Sequence, residues 1–257
     1  MENLTAEIKA LAKREGLSLI GIAPAEGWKA ARGHRPKDVL SDAKSVIVMA
    51  MQMPDKAIEE APVGERENIG MALEREMDRI GAKIMDVLVK KGYIGIPIEY
   101  VHFPLGVVPL PYRTPEYFRA FAKHPSHKEQ LRGVIPLKYA AYRAGLGTIG
   151  RSSLLITPQY GPRVRLAAIV TNAPLASDTP LNVDFCGRCM VCEKVCVGKA
   201  FREGRHDPEL CWRAEWDLGE PLPGLPFKVC TALCVKLCPV GRLKEKYRPE
   251  AGAKKAS

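Results

Sequence analysis

Cys186, Cys189, Cys192 and Cys196 follow one another as C-x2-C-x2-C-x3-C, the spacing with which one short loop wraps a [4Fe–4S] cluster in bacterial electron carriers. The chemistry this implies is one-electron transfer. Three thiolates on a tight loop cap three irons of one cubane, and the fourth, carried onto the next segment, ligates the other cluster where two are present. A second set is therefore required downstream. Cys211, Cys230, Cys234 and Cys238 supply it, completing eight cysteines, all of them after residue 185. Disulfides are disfavoured because the chain opens on an amphipathic stretch with no basic, apolar and cleavable leader. Structural zinc is disfavoured because three cysteines at successive threes do not divide into paired knuckles. The second set departs from the common pattern: Cys230-x3-Cys234-x3-Cys238 is one residue longer than C-x2-C-x3-C-P, and Val197 stands where proline often follows Cys196.

Upstream, Gly145, Gly147 and Gly150 fall within six residues, among the hydroxyls of Thr148, Ser152 and Ser153. Three glycines so close permit positive φ and a close backbone approach to a ligand, and the hydroxyls are potential donors to its polar groups. The pattern is not a dinucleotide fingerprint, which follows a strand and opens a helix, whereas here the glycines close a helix and precede a strand.

The elements that position these residues are legible as periodicity. Leu4, Ile8, Leu11 and Ala12 recur at helical spacing before Gly16, and Leu17 to Ala23 reads as a buried strand. Lys44 to Met53 is a second strand. Ile69, Leu73, Met77, Ile80, Ile84 and Val87 form the stripe of a long crossover helix stopped by Gly92. Tyr93 to Phe103 reads as extended, then Pro104 to Pro115 is punctuated by proline, and Tyr117, Phe118 and Phe121 mark a short aromatic helix over a pocket. A helix from Pro136 ends at the glycines. Leu154 to Thr157 and Val164 to Thr171 are strands, with residues 158–162 turning between them as a hairpin-like link. The fold class is α/β, followed from Asn182 by a short, loop-rich region organised by clusters rather than by a large apolar core.

At 257 residues and 46% apolar content the chain divides into a domain over 1–178, a cysteine-bearing domain over 179–245 and a basic tail over 246–257. No run of 18 apolar residues and no export signal is present, so the expected setting is the reducing cytoplasm, without a membrane partner. The net charge is +10, of which about four belong to residues 242–257, with six basic against two acidic side chains. The remainder suits an acidic partner such as a ferredoxin or flavodoxin, or a nucleic acid.

The stretch from Arg143 through Ala144-Gly145-Leu146-Gly147-Thr148-Ile149-Gly150 to Gly161, followed by the double cysteine motif, resembles the iron–sulfur, cobalamin-dependent reductases, epoxyqueuosine reductase and the respiratory reductive dehalogenases. Residues 8–22 resemble that family's opening helix and strand. The resemblance runs over roughly residues 4–245 and implies a nitroreductase-related domain that holds base-off cobalamin, fed by a ferredoxin-like domain with two [4Fe–4S] clusters in an anaerobic setting. It implies that Cys186, Cys189, Cys192 and Cys238 hold the cluster nearer the cobalamin, and Cys196, Cys211, Cys230 and Cys234 the other. Gly145, Leu146, Gly147, Thr148, Gly150, Arg151, Ser152 and Ser153, with Arg163 and Arg165, are the implied cobalamin contacts. The aspartate that donates a proton in epoxyqueuosine reductase has no counterpart, since Gly133 stands near its place. Nor do these residues include the helical-repeat portion that many of those enzymes use around tRNA, which leaves tRNA the weaker partner class. Dehalogenases pair a tyrosine donor with a basic residue. Tyr139 and Tyr142 with Lys138 are the matching candidates here, sharing helical faces ahead of the glycines, with His102, His124 and His127 as alternative donors.

The expected function is an oxidoreductase that reduces an electrophilic small-molecule substrate at cobalamin. The alternative is an electron carrier or reductive activator for a separate corrinoid protein, without substrate chemistry of its own.

Overall fold

The computed structural model describes residues 2–98, 133–211, 214, 220–221, 228–229 and 232–241. The chain begins with helix α1 (Glu2–Arg14), closed at Gly16 with φ 88°, and strand β1 (Leu19–Pro24). A short helix α2 (Pro36–Val39), strand β2 (Ser45–Gln52), helix α3 (Asp55–Glu60) and the 28-residue helix α4 (Val63–Lys90) follow, then strand β3 (Gly95–Ile98). Helix α5 (Leu137–Arg143), strands β4 (Thr148–Ile149), β5 (Leu155–Ile156) and β6 (Val164–Thr171) complete the α/β unit. The cysteine region carries helix α6 (Val191–Lys194), strands β7 (Phe201–Arg202), β8 (Arg205–His206), β9 (Glu220–Pro221) and β10 (Lys228–Val229), and helix α7 (Leu233–Lys236).

The main sheet has the order β1-β2-β6-β3, every neighbour antiparallel, so α4 crosses over from β2 to β3 with β6 between them. Its faces are both buried, which is why β2 reads as a continuous apolar run rather than an alternation. Ile47 and Met49 point to α1 and α4, meeting Ile8, Leu11, Met77, Ile80, Ile84 and Leu88. Val46, Val48 and Ala50 point the other way, to Ala140, Ala141 and Ala144 of α5 and the residue that follows it. Alanines on that side let the helix backbone settle onto the sheet: a Cβ on Gly21 of β1 would lie 2.2 Å from the Ala144 carbonyl oxygen. Leu88, fully buried, takes the place in the α4 stripe that periodicity gives to the half-buried Val87.

One expected pairing is corrected. Leu155–Ile156 does not form a hairpin with β6; it turns back to pair with β4, Thr148 opposite Ile156 and Ile149 opposite Leu155. Ser153, at φ 56°, closes that small hairpin by donating its N–H to the Gly150 carbonyl at 2.9 Å. Residues 157–161 form a separate tight turn, its backbone ends bonded Thr157 to Gly161 in both directions at 2.9 Å. The readings for residues 99–132, including the end of the Tyr93–Phe103 strand, the proline stretch, the aromatic helix, His102, His124 and His127, lie outside the described residues, as do Cys230 and the tail.

From β6 the chain runs to the cysteines along a pinned linker. Leu175 N–H donates to Ser45 Oγ, Ala176 N–H to Thr5 Oγ1, and Asp178 exchanges backbone and side-chain bonds with Ile22 at 2.8 Å while accepting the Lys9 amine at 2.6 and 2.8 Å. No helix among the described residues is long and apolar enough to cross a membrane.

Candidate functional site

The cysteine loop is opened by Asp184, whose Oδ1 accepts the N–H groups of Cys186 and Gly187 at 2.9 and 3.1 Å. Cys189 N–H then bonds the Cys186 carbonyl at 2.7 Å, setting the tight turn that the motif requires. Backbone N–H groups reach the thiols: Arg151 donates to Cys186 Sγ and Ala200 to Cys196 Sγ, each at 3.3 Å. Such donors stabilise a sulfur that carries negative charge and are among the determinants of cluster potential.

Electrostatics sort the described thiols into two groups. Burial first, then the charges of Cys186 and Cys189, pushes the Cys192 thiol up; burial first pushes Cys238 up, with Cys186 and Cys189 adding to it and a Val240 backbone bond and Arg163 opposing. Cys192 and Cys238 thus each sense Cys186 and Cys189, which places these four thiols near one another. Gathering four negative sulfurs is unfavourable without metal, and coordination offsets that cost by displacing the protons. Cys211 and Cys234 instead act on Lys138, whose amine is lowered by desolvation and raised by those two thiols. Lys138 is exposed as a whole residue, so the lowering reflects crowding at the amine rather than a buried stem. Among the described residues no three ligating side chains converge on a point for a single metal ion; a cubane spreads its ligands over four corners. The seven described cysteines are all unbridged and half-buried, a donor set that fits iron–sulfur clusters.

The glycines of this segment lie close to protein on the side where a Cβ would stand. A Cβ on Gly145 would meet the Thr179 carbonyl oxygen of the linker at 2.6 Å, and one on Gly147 the Ile156 carbonyl oxygen at 2.3 Å. At Gly150 it would meet the Ile156 side chain at 2.6 Å and Cys186 Sγ at 3.2 Å. The β4–β5 hairpin therefore presses its tip on the first cysteine loop, where Arg151 also donates Nε–H to the Cys189 carbonyl at 3.1 Å. Leu146 and Ser152 are buried, Ser152 at the hairpin turn. Arg165 is engaged by Glu67 at 2.7 Å and Glu74 at 3.8 Å of α4, and Arg163 is fully buried against the cysteine region. Both arginines expected at a corrin are thus committed to protein partners. Thr148, Gly150, Arg151 and Ser153 of this segment stay half-buried and Ile149 exposed.

Tyr139 and Tyr142 stack with centroids 6.2 Å apart, and Trp28 meets Tyr139 edge-on at 5.4 Å. Arg143 lies 5.8 Å over Trp28 and donates to the Gly27 and Glu26 carbonyls at 2.6 and 2.8 Å, fastening the loop after β1 to α5. Lys138 faces the cysteine region instead, beside His206, whose pKa is lowered by burial and then by Lys138, with Asp207 opposing. The structure therefore brings the two tyrosines together and separates Lys138 from them in role. Trp28, His206 and the acidic pair Asp55 and Glu59 carry no spacing signal. Asp184, two residues ahead of Cys186, is the one such residue a turn-forming sequence pattern points to.

A sheet covered on both faces, with a cysteine region locked onto a glycine hairpin, defines an α/β protein with a cysteine-rich C-terminal part, and relatives of known identity refine it. No protein-family model matches the chain. An epoxyqueuosine reductase of Listeria monocytogenes is 46% identical over 72 residues, 28% of this chain and 19% of that protein. A tetrachloroethene reductive dehalogenase of Desulfitobacterium hafniense is 28% identical over 241 residues, 85% of this chain and 36% of that one. The solved epoxyqueuosine reductase of Streptococcus thermophilus superimposes with a TM-score of 0.63 at 18% identity, covering 93% of this chain and 66% of that one. The chain is thus similar in sequence to epoxyqueuosine reductases and reductive dehalogenases and shares the α/β core of their solved structures. It spans about a fifth to a third of the length of the two curated relatives.

Proposed function

We propose that the chain is an iron–sulfur reductase in which two [4Fe–4S] clusters pass electrons to a bound, base-off cobalamin for the reduction of an electrophilic organic substrate. The observation that carries this reading is the contact between the two halves: the Arg151 N–H on Cys186 Sγ, and Gly150 against the same sulfur, bring the hairpin of the α/β unit directly onto a cluster ligand. A cluster held there would lie against the unit that holds substrate in the family, one of whose solved members performs B12-dependent dehalogenation. Cobalamin, when bound, supplies low-valent cobalt as the reductant. The protein's own contribution is to hold the clusters dry, direct N–H donors at their sulfurs, and present Tyr139 or Tyr142 as the proton donor. An acidic ferredoxin or flavodoxin is the proposed source of electrons, attracted by the net positive charge.

A second reading, a reductive activator or electron carrier serving a separate corrinoid protein, is favoured by a specific observation: the glycine Cβ directions and both arginines are occupied by protein. Anaerobic reconstitution with iron and sulfide, followed by addition of cob(II)alamin and paramagnetic resonance of the cobalt, separates the two. A protein-bound, base-off signal alongside about eight irons per chain supports the reductase. Cobalamin left free at full iron content supports the activator, and a chain that takes up no iron sinks both.

A further inference from the structure

Among the described charged groups of the α/β unit, Arg163 is the one with no exposed surface, and the corrin contact that the resemblance implies for it leaves its protein partners unexplained. It opens onto β6, and its guanidinium points away from the sheet toward the cysteine region. Nη2 donates to the Lys236 carbonyl at 3.1 Å, two residues before Cys238. Nε and Nη1 are buried without hydrogen-bond partners; of the α3 carboxylates, Asp55 Oδ1 stands 3.8 Å from Nε and Glu59 Oε1 3.9 Å from Nη2. Those separations exceed the roughly 2.7–2.9 Å of a charge-assisted hydrogen bond, so the carboxylates neutralise the cation only in part. The backbone on either side of this contact is closely packed. The turn just before Arg163 is interlocked with the chain just after Cys238: a Cβ on Gly161 would lie 1.9 Å from the Val240 carbonyl oxygen, and one on Gly241 2.2 Å from the Tyr160 carbonyl carbon.

We propose that Arg163 is a positioning residue that sets the reduction potential of the cluster ligated by Cys186, Cys189, Cys192 and Cys238, with Asp55 and Glu59 as its counterweights. The inference rests on the cluster reading above. A guanidinium stays protonated throughout the working pH range, so Arg163 is a fixed charge and not a switch. Reduction adds one negative charge to the cluster. A buried cation nearby favours that form and raises the potential, while the α3 carboxylates favour the oxidised form and lower it, each acting through a medium less polarisable than water. Arg151, which touches the same cysteine loop through its own N–H and Nε, is unaffected by changes on α3 and serves as the constant background.

The test is an anaerobic redox titration of the full chain after reconstitution with iron and sulfide, followed by the paramagnetic signals of the reduced clusters. In R163Q, one of the two couples should show about a tenfold lower ratio of reduced to oxidised cluster at a fixed potential, about 59 mV for one electron, and the other couple should stay in place. R163K should remain near the wild type. D55N should move the same couple in the opposite direction, and because it leaves Arg163 and its bond to Lys236 intact, it decides the matter even where R163Q fails to fold. Full iron content with that couple unmoved in D55N, or moved in the same direction as in R163Q, overturns the role of Arg163. Failure of the wild type to take up iron overturns the cluster reading instead.

Discussion

At the scale of single residues the site is a matter of which charges are shared. Because Cys189 belongs to the set sensed by Cys192 and Cys238, Cys189→Ser should remove about half of the reconstituted iron and its visible absorption, while the far-ultraviolet signature of the α/β unit stays. Full iron in that variant would break the grouping. His206 gives a second residue-scale expectation. Its pKa is depressed from the ordinary 6.5 by burial and by the Lys138 charge. In the unfolded chain the ring takes a proton as the pH falls below about 6.5, whereas in the folded chain it resists until lower pH. Stability present above that value is therefore lost as the pH drops through the depressed one. The urea midpoint should fall between pH 7.5 and 5.5, and less so in His206→Gln; equal falls would show that other groups carry the dependence. Lys138→Gln should let the ring titrate closer to its ordinary value, which proton resonance reads directly.

At the scale of elements the telling piece is the 157–161 turn. Gly161 adopts φ 56° and has the Val240 carbonyl where a side chain would stand. Gly161→Ala should therefore cost at least about 1–2 kcal/mol from the left-handed backbone alone, and the clash should fall on cluster retention more than on the sheet. The check is a comparison of iron content with urea stability: unchanged iron would mean that the turn does not hold the cysteine region. The same elements show what could be read in advance. α1, β1, β2, α4, β6 and the helix ending at Gly145 follow from apolar periodicity and glycine stops, since each buries a face wide enough to leave a pattern. The β4–β5 hairpin was not legible, because two-residue strands leave no period and the Gly150–Ser153 turn looks like a continuing loop. The thiol spacing announced a donor set of the kind that holds iron–sulfur clusters. It could not announce that the neighbouring glycines serve backbone contacts with Thr179 and Ile156, because a glycine required by a ligand and one required by another strand are identical in sequence. Nor could the sequence show the partners that Arg163 and Arg165 have in the fold, Lys236 and Glu67, which lie 73 and 98 residues away.

At the scale of the whole molecule, the linker would decide how electrons travel if the chain carries the proposed clusters. Its Thr179 carbonyl rests on Gly145, and Asp178 is tied at once to β1 and α1. With the 157–161 turn clasping the far end of the cysteine region, that region is fastened to the α/β unit at both its entry and its exit. A redox module on a free tether samples many orientations before each transfer and slows as its medium thickens. This one has no such excursion to make. Internal electron transfer should therefore be insensitive to added glycerol or sucrose, with flash-reduction rates unchanged across a severalfold range of viscosity, while the bimolecular reduction of the chain by an outside donor slows in proportion. A viscosity-dependent internal step would mean that the clasp opens during turnover, and an Asp178→Ala chain, released at its entry, is where that dependence should first emerge.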